Sequence, residues 1–206
     1  MKTQVIEIQK PNMQELQVEL VEDTPVIVHR FSDKSRKEML DKHLQKPVKK
    51  KGKRDPDKEF EEARYFLPDG RDGVPCVWFK AAAVGACRLA QNLQMTRARR
   101  LFFIEKDGTN QDGTQLVELL SDKPIQREDI VRLPNGNADL RYRPEYRNWR
   151  VVLKVKYNAD HISAEQLVNL FDIAGQGGVG EMRPDRTNFD YGMFHVATSE
   201  EANGDK

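Results

Sequence analysis

Trp149-Arg150-Val151-Val152-Leu153-Lys154-Val155-Lys156-Tyr157 decides how this chain is read. Trp149, Val151, Leu153, Val155 and Tyr157 alternate with Arg150, Val152, Lys154 and Lys156. That period of two predicts a strand with one apolar face and one mainly basic face. Ser163 then caps a helix with Gln166 as its reciprocal partner, and Ile162 is placed to staple onto Leu167. Leu167, Leu170, Phe171 and Ala174 form the buried stripe of that helix, and Gly175 closes it. A glycine-rich loop leads to a last strand over Tyr191–Val196. Strand, helix, glycine-rich loop, strand is an α+β ending.

Upstream the signals are shorter. Residues 2–9 and Glu15–Leu20 read as strands, the second with Leu16, Val18 and Leu20 on one face. Val26-Ile27-Val28 is a third. Ser35 to Glu38 is a capping box, followed at helical spacing by Met39, Leu40 and Leu44. A basic block from Lys46 to Arg54 ends that helix. Asp55-Pro56 then caps a short acidic helix, broken by Gly70 and Gly73. Phe79, Ala82, Ala83, Ala86 and Ala90 line one side of an alanine-rich helix, small enough to lie close against a sheet. Leu101–Ile104 reads as a continuous buried strand, Leu116–Leu120 as another, and Ile125–Arg132 as a strand or an irregular segment. Asp107-Gly108, Asp112-Gly113 and Asn135-Gly136 flag turns, the last a hairpin. The expected organisation is one domain over 1–198, with an inserted helical and basic lobe at about 32–70 and an acidic flexible tail over 199–206.

The 206 residues carry 34 Lys+Arg against 33 Asp+Glu, so their net charge of +1 excludes whole-chain supercharging. Nine Phe, five Tyr and two Trp argue against disorder. No apolar run approaches the roughly 20 residues of a membrane span, and the first residues alternate instead of forming an export signal. The expectation is a cytoplasmic protein with no membrane partner. Cys76 and Cys87 are too few for a disulfide framework and are not spaced for zinc, so neither metal nor cofactor is expected.

The charges are segregated, and phosphate binding needs local positive potential more than a high total. Lys49, Lys50, Lys51, Lys53 and Arg54 form one cluster, with a solvated loop as its plain alternative. Arg97, Arg99 and Arg100 form a second. Arg141, Arg143, Arg147 and Arg150 form a third, interleaved with Tyr142, Tyr146 and Trp149. Single strands are held by cationic grooves plus aromatic faces, each stacked base contributing about 1–3 kcal/mol. Tyr142 and Tyr146 are the expected stacking residues, whereas Trp149 is in phase with the strand's core side.

Gly175-Gln176-Gly177-Gly178-Val179-Gly180 fits the dinucleotide pattern G-x-G-x-x-G by letter, but the physics rejects it. That fingerprint follows a strand and opens a helix, whereas here the glycines follow a helix. Gly177, Gly178 and Gly180 still allow close backbone approach, and Arg183 and Arg186 add planar forks suited to phosphate. The plain alternative is a connection with Gly175 as a helix cap. His29, His43, His161 and His195 are scattered, and His43, on the capped helix, is the one weak catalytic candidate.

The stretch Gly73-Val74-Pro75-Cys76-Val77-Trp78-Phe79-Lys80, continuing through Ala81–Ala83 to Arg88, resembles an entry motif of the RAMP superfamily, the CRISPR-associated ferredoxin-like proteins. The C-terminal helix, glycine-rich loop and Tyr191-Gly192 are similar to that superfamily's glycine-rich signature. The nearest subtype is the backbone subunit that polymerises along guide RNA. Phe79-Lys80 with Gly180–Pro184 also resembles uncharacterised phage and prophage proteins. The resemblance implies a modified ferredoxin-like, RRM-like antiparallel sheet with helices on one face. It also implies RNA or single-stranded DNA as partner, in a homo-oligomer or multisubunit ribonucleoprotein. Lys80, Arg88, Lys154 and Lys156 join the expected contacts. Two alternatives stay open: a histidine-assisted, metal-independent endoribonuclease, and a phage or prophage interaction protein such as an inhibitor or virion component.

Overall fold

The computed structural model describes residues 10–46, 53–90, 93–132 and 136–202. Its first elements are β1 (Met13–Glu22), β2 (Val26–Ile27), α1 (Asp33–His43), α2 (Pro56–Glu62) and β3 (Gly73–Pro75). Next come α3 (Cys76–Ala86), α4 (Met95–Leu101), β4 (Phe102–Ile104), β5 (Gly108–Thr109) and β6 (Gln115–Glu118). A long hairpin of β7 (Ile125–Arg132) and β8 (Ala138–Tyr146) follows. The chain ends with β9 (Arg150–Asn158), α5 (Ala164–Gly175), β10 (Phe194–Val196) and α6 (Ser199–Ala202).

Four strands form the central antiparallel sheet in the order β10-β1-β9-β4. Counted along the chain these are the fourth, first, third and second strands of the unit. Helix α3 joins the first to the second, and α5 joins the third to the fourth. This is the β-α-β-β-α-β ferredoxin-like arrangement. The sequence pattern places both helices on one face. Leu16, Val18 and Leu20 of β1 share that face with Val151, Leu153, Val155 and Tyr157 of β9, and they pack with Phe79 and Phe171 from the helices. Phe102 and Phe171 meet edge to face at 5.8 Å, and Phe194 does so with both Phe79 and Trp149.

Local chemistry explains the element ends. Gln166 N donates to Ser163 Oγ at 3.2 Å and Ser163 N donates to Gln166 Oε1 at 3.0 Å, completing the expected capping box. Asp55 accepts from Lys58 N ahead of Pro56, as a cap and first-turn proline should. Gly175 is the last residue of α5 and Gln176 is its cap, so the role of this glycine is packing and not the expected capping. A Cβ there would stand 1.5 Å from the Phe194 carbonyl oxygen, so only glycine lets α5 lie directly on β10.

Several boundaries differ from the sequence reading. Leu101 ends α4 instead of opening a strand, and the alanine-rich helix stops at Ala86, with residues 87–90 in turns. The last strand begins at Phe194, because Gly192 turns back to accept from Val179 N at 2.9 Å. Residues 138–146 form an unforeseen strand paired along β7. Two smaller sheets, β2-β8-β7 and β3-β6-β5, therefore flank the central one. Of the tail expected over 199–206, residues 199–202 form a helical turn in which Glu201 bonds to His195 and Thr198, and residues 203–206 lie outside the described residues. The strand expected over 2–9 and the Asn135 turn position lie outside the described residues, as do Lys49, Lys50 and Lys51. Among the described residues no helix is long and apolar enough to cross a membrane.

Gly175→Ala is expected to lower unfolding free energy by about 1–3 kcal/mol or more, since the clash is with backbone. Gly85→Ala on α3 meets nothing within 4 Å and should instead add about 0.5–1 kcal/mol. Urea unfolding of the two variants beside the parent checks both.

Candidate functional site

The glycine-rich loop is a tightly folded connection between α5 and β10. Gly178 and Gly180 have φ of +67° and +77°, the left-handed region that side chains avoid. A Cβ on Gly178 would meet Tyr191 O at 2.9 Å, and one on Gly180 would meet Ile27 O at 2.6 Å. Both glycines are therefore required by the fold, and replacing them does not isolate a binding role. Gly177 is less constrained: a Cβ there meets nothing nearer than 3.5 Å. Glu181 N donates to Ile27 O at 2.9 Å and fixes the loop against β2. Arg183 Nη1 donates to Gly180 O at 2.5 Å and braces the turn from within.

Facing this loop is the exposed side of α3. Between them lies a groove of about 430 Å³, lined by Trp78, Lys80, Ala81, Ala82, Gly85 and Arg88 on one wall. Gly178, Val179, Gly180, Arg183, Asp185 and Arg186 form the other, and Met95 and Arg99 from α4 close one side. The two stretches that carry the family resemblance thus meet across one depression. Its walls hold five cations, Lys80, Arg88, Arg99, Arg183 and Arg186, against one carboxylate, Asp185. Among the described residues no carboxylate pairs with Lys80, Arg88 or Arg99. Lys80 is half-buried, and that burial lowers its pKa. Its Nζ lies 4.6 Å from the centroid of the Phe103 ring, a cation–π contact in place of an ion pair.

Most of the other predicted contacts among the described residues lie elsewhere, beside acidic partners. On the open face of the central sheet, Arg150 pairs with Glu19 at 3.5 Å, Lys154 with Asp107 at 3.1 Å, and Lys156 with Glu15 and Glu105. Each of these three cations therefore has an acidic neighbour on that face. Arg54 pairs with Glu59 at 2.6 Å and Asp139 at 3.0 Å, and its guanidinium covers the ring of Tyr142. Lys53 is exposed nearby. Arg141 pairs with Asp139 and meets His29 Nδ1 at 3.3 Å.

Two of the expected contacts are corrected outright by burial. Tyr146 is 1% exposed and donates to Asp72 at 2.8 Å, so it offers no ring face to a base. Arg143 is 2% exposed and binds Asp129 at 2.7 Å and Glu181 at 3.2 Å. Arg127 continues that network to Asp129 and Glu145, and Arg147 joins it at Glu145. Through Glu181, Arg143 ties the β7–β8 hairpin to the glycine-rich loop, whereas Arg147 stays largely exposed.

The histidines do not converge. His195 on β10 is held between Asp23 at 2.7 Å and Glu201 at 3.2 Å. Burial pulls its pKa down, and the two carboxylates outweigh that and raise it. His29 is pushed down to about 4 by burial and by the charges of Arg141 and Arg143. His43 is exposed in the last turn of α1, and no hydrogen bond joins it to another described histidine.

Sequence reasoning missed Arg99 and Trp78 as parts of the groove. Arg99 belonged to a recognised cluster, but only tertiary packing brings it beside Arg88. No protein-family model matches this chain, and no curated protein matches it. Among solved structures it is similar to a chain of the type III-B Cmr-beta bound to cognate target RNA, seen by cryo-EM, with a TM-score of 0.51 at 12% identity. That match covers 90% of this chain and 59% of the other, so this chain spans little more than half of its neighbour's length. A looser likeness, with a TM-score of 0.43 at 13% identity, is to Cmr6 from Pyrococcus furiosus, covering 90% of this chain and 99% of that one. The first likeness is one of fold alone, and the ferredoxin-like sheet that the resemblance implied is present in the order β10-β1-β9-β4.

Arg143→Ala leaves a buried carboxylate short of its partner and should cost about 3–5 kcal/mol of stability. Arg147→Ala removes a largely exposed arginine and should change stability by about 1 kcal/mol or less. Denaturant unfolding separates the two.

Proposed function

We propose that the protein binds single-stranded RNA in the groove between α3 and the glycine-rich loop, as a non-catalytic subunit of a ribonucleoprotein. The carrying observation is the convergence of Lys80, Arg88 and Arg99, none paired with a described carboxylate, on a loop that brings Arg183 and Arg186 to face them. Cations left unpaired together on one surface repel one another, and a polyanion relieves that repulsion while releasing its counterions. Elsewhere Arg54, Arg143, Arg147, Arg150, Lys154 and Lys156 already have acidic partners. The neighbour of similar fold belongs to a Cmr-beta bound to cognate target RNA, which supports RNA over DNA as the strand. Repetition of such subunits along one strand extends the same reading, with the phosphate backbone held and the sequence largely unread.

The test is the salt dependence of binding to a fluorescent single-stranded RNA. Each phosphate contact contributes a slope of about −0.7 in log affinity against log salt. Replacing Lys80, Arg88 and Arg99 together by Ser should make the slope shallower by about 2, three contacts at that value. Replacing Lys154 and Lys156 by Ser should leave it unchanged. A parent-like slope in the triple variant, or its loss in the double one, overturns the assignment of the groove.

A further inference from the structure

We infer that the groove is a nucleotide site and not a bare phosphate site, with Trp78 as the surface on which one base stacks. The inference rests on the polyanion reading above and adds a requirement for bases. The cations occupy only part of the groove, and Trp78, Met95, Ala81 and Val179 give it an apolar strip. A phosphate chain makes no use of such a strip, whereas the flat face of a nucleobase does.

Trp78 sits in the first turn of α3, half-buried, with its ring standing at 88° to that of Tyr65 and centroids 6.2 Å apart. Edge-to-face packing of this kind fixes an aromatic ring's orientation. The indole is therefore held in place before any ligand arrives, and a base stacking on it loses little to ordering of the protein. Lys80 and Arg88 on the same helix are placed for the flanking phosphates.

The other tryptophan makes this directly measurable. Trp149 is 1% exposed and donates to Thr24 O at 3.0 Å, so its emission is a constant background. Any change in tryptophan emission on ligand binding then reports Trp78. Titration with a 12-residue oligoadenylate should quench emission to saturation. Inorganic polyphosphate of the same charge should bind without quenching. Trp78→Leu should weaken oligoadenylate binding by about 5- to 150-fold, the equivalent of one lost stack. The same variant should leave polyphosphate affinity within about twofold, and Trp78→Phe should recover most of the oligoadenylate affinity.

Parent-like oligoadenylate binding by Trp78→Leu overturns the inference. An equal loss for both ligands, unrelieved in Trp78→Phe, also overturns it, since the ring would then serve only the fold. An acidic peptide that matches oligoadenylate in affinity and quenching overturns it in favour of a protein partner. Failure of the groove itself is a different result: the triple Ser variant of Lys80, Arg88 and Arg99 would bind both ligands like the parent.

Discussion

Helix α5 touches β10 backbone to backbone, with the Phe194 carbonyl in the space a side chain at position 175 would need. This contact sets the course of everything that follows it in the chain. The residues after α5 must reverse direction at once, and the left-handed backbone at Gly178 and Gly180 provides that reversal. Pinned to Ile27 and Gly192, the loop cannot drift away from the sheet edge. Helix α3 lies beside α5, with Ala83, Ala86 and Phe79 in the core, so its outer side faces the loop. The groove is the space left between these two constrained walls.

Electrostatics then divides the cations into two populations. Those on the open sheet face and around α2 stand in exposed ion pairs, each contributing about 0–1 kcal/mol. On the β7–β8 hairpin, buried Arg143 and half-buried Arg127 meet the buried carboxylates of Asp129 and Glu145, where pairing offsets the cost of taking charge out of water. Of the five groove cations, Arg186 stands in an exposed pair with Asp185 at 3.8 Å, and the other four belong to neither set. Lys80 rests on an aromatic ring, Arg183 on a backbone carbonyl, and Arg88 and Arg99 stand exposed. The described residues of this near-neutral protein thereby include a concentrated patch of positive charge, which is what steering of a polyanion requires.

Much of this was legible where the signal is local. The alternation of residues 149–157 and the Ser163–Gln166 box gave β9 and α5, because side-chain period and cap chemistry need no distant partner. Strand β8 was not legible, since Arg141, Arg143 and Glu145 point charge inward and Pro144 interrupts the apolar face. Its inward charges make sense only beside Asp129 and Glu181. For the same reason Arg143 and Tyr146 read as ligand contacts: basic and aromatic residues in alternation look alike whether they face water or a buried carboxylate. Lys80, Arg88, Arg183 and Arg186 were found through two separate stretches, but nothing in the sequence says that these meet. Trp78 and Arg99 became visible only once they did.

Photo-crosslinking of a single-stranded RNA carrying 4-thiouridine at every position, read out by peptide mass spectrometry, tests the central claim most directly. The account predicts crosslinks in residues 76–88, 95–101 and 178–186, on the facing walls of the groove. Crosslinks concentrated on the open sheet face, at Phe103, Val152, Lys154 and Lys156, with none in the groove, would contradict it.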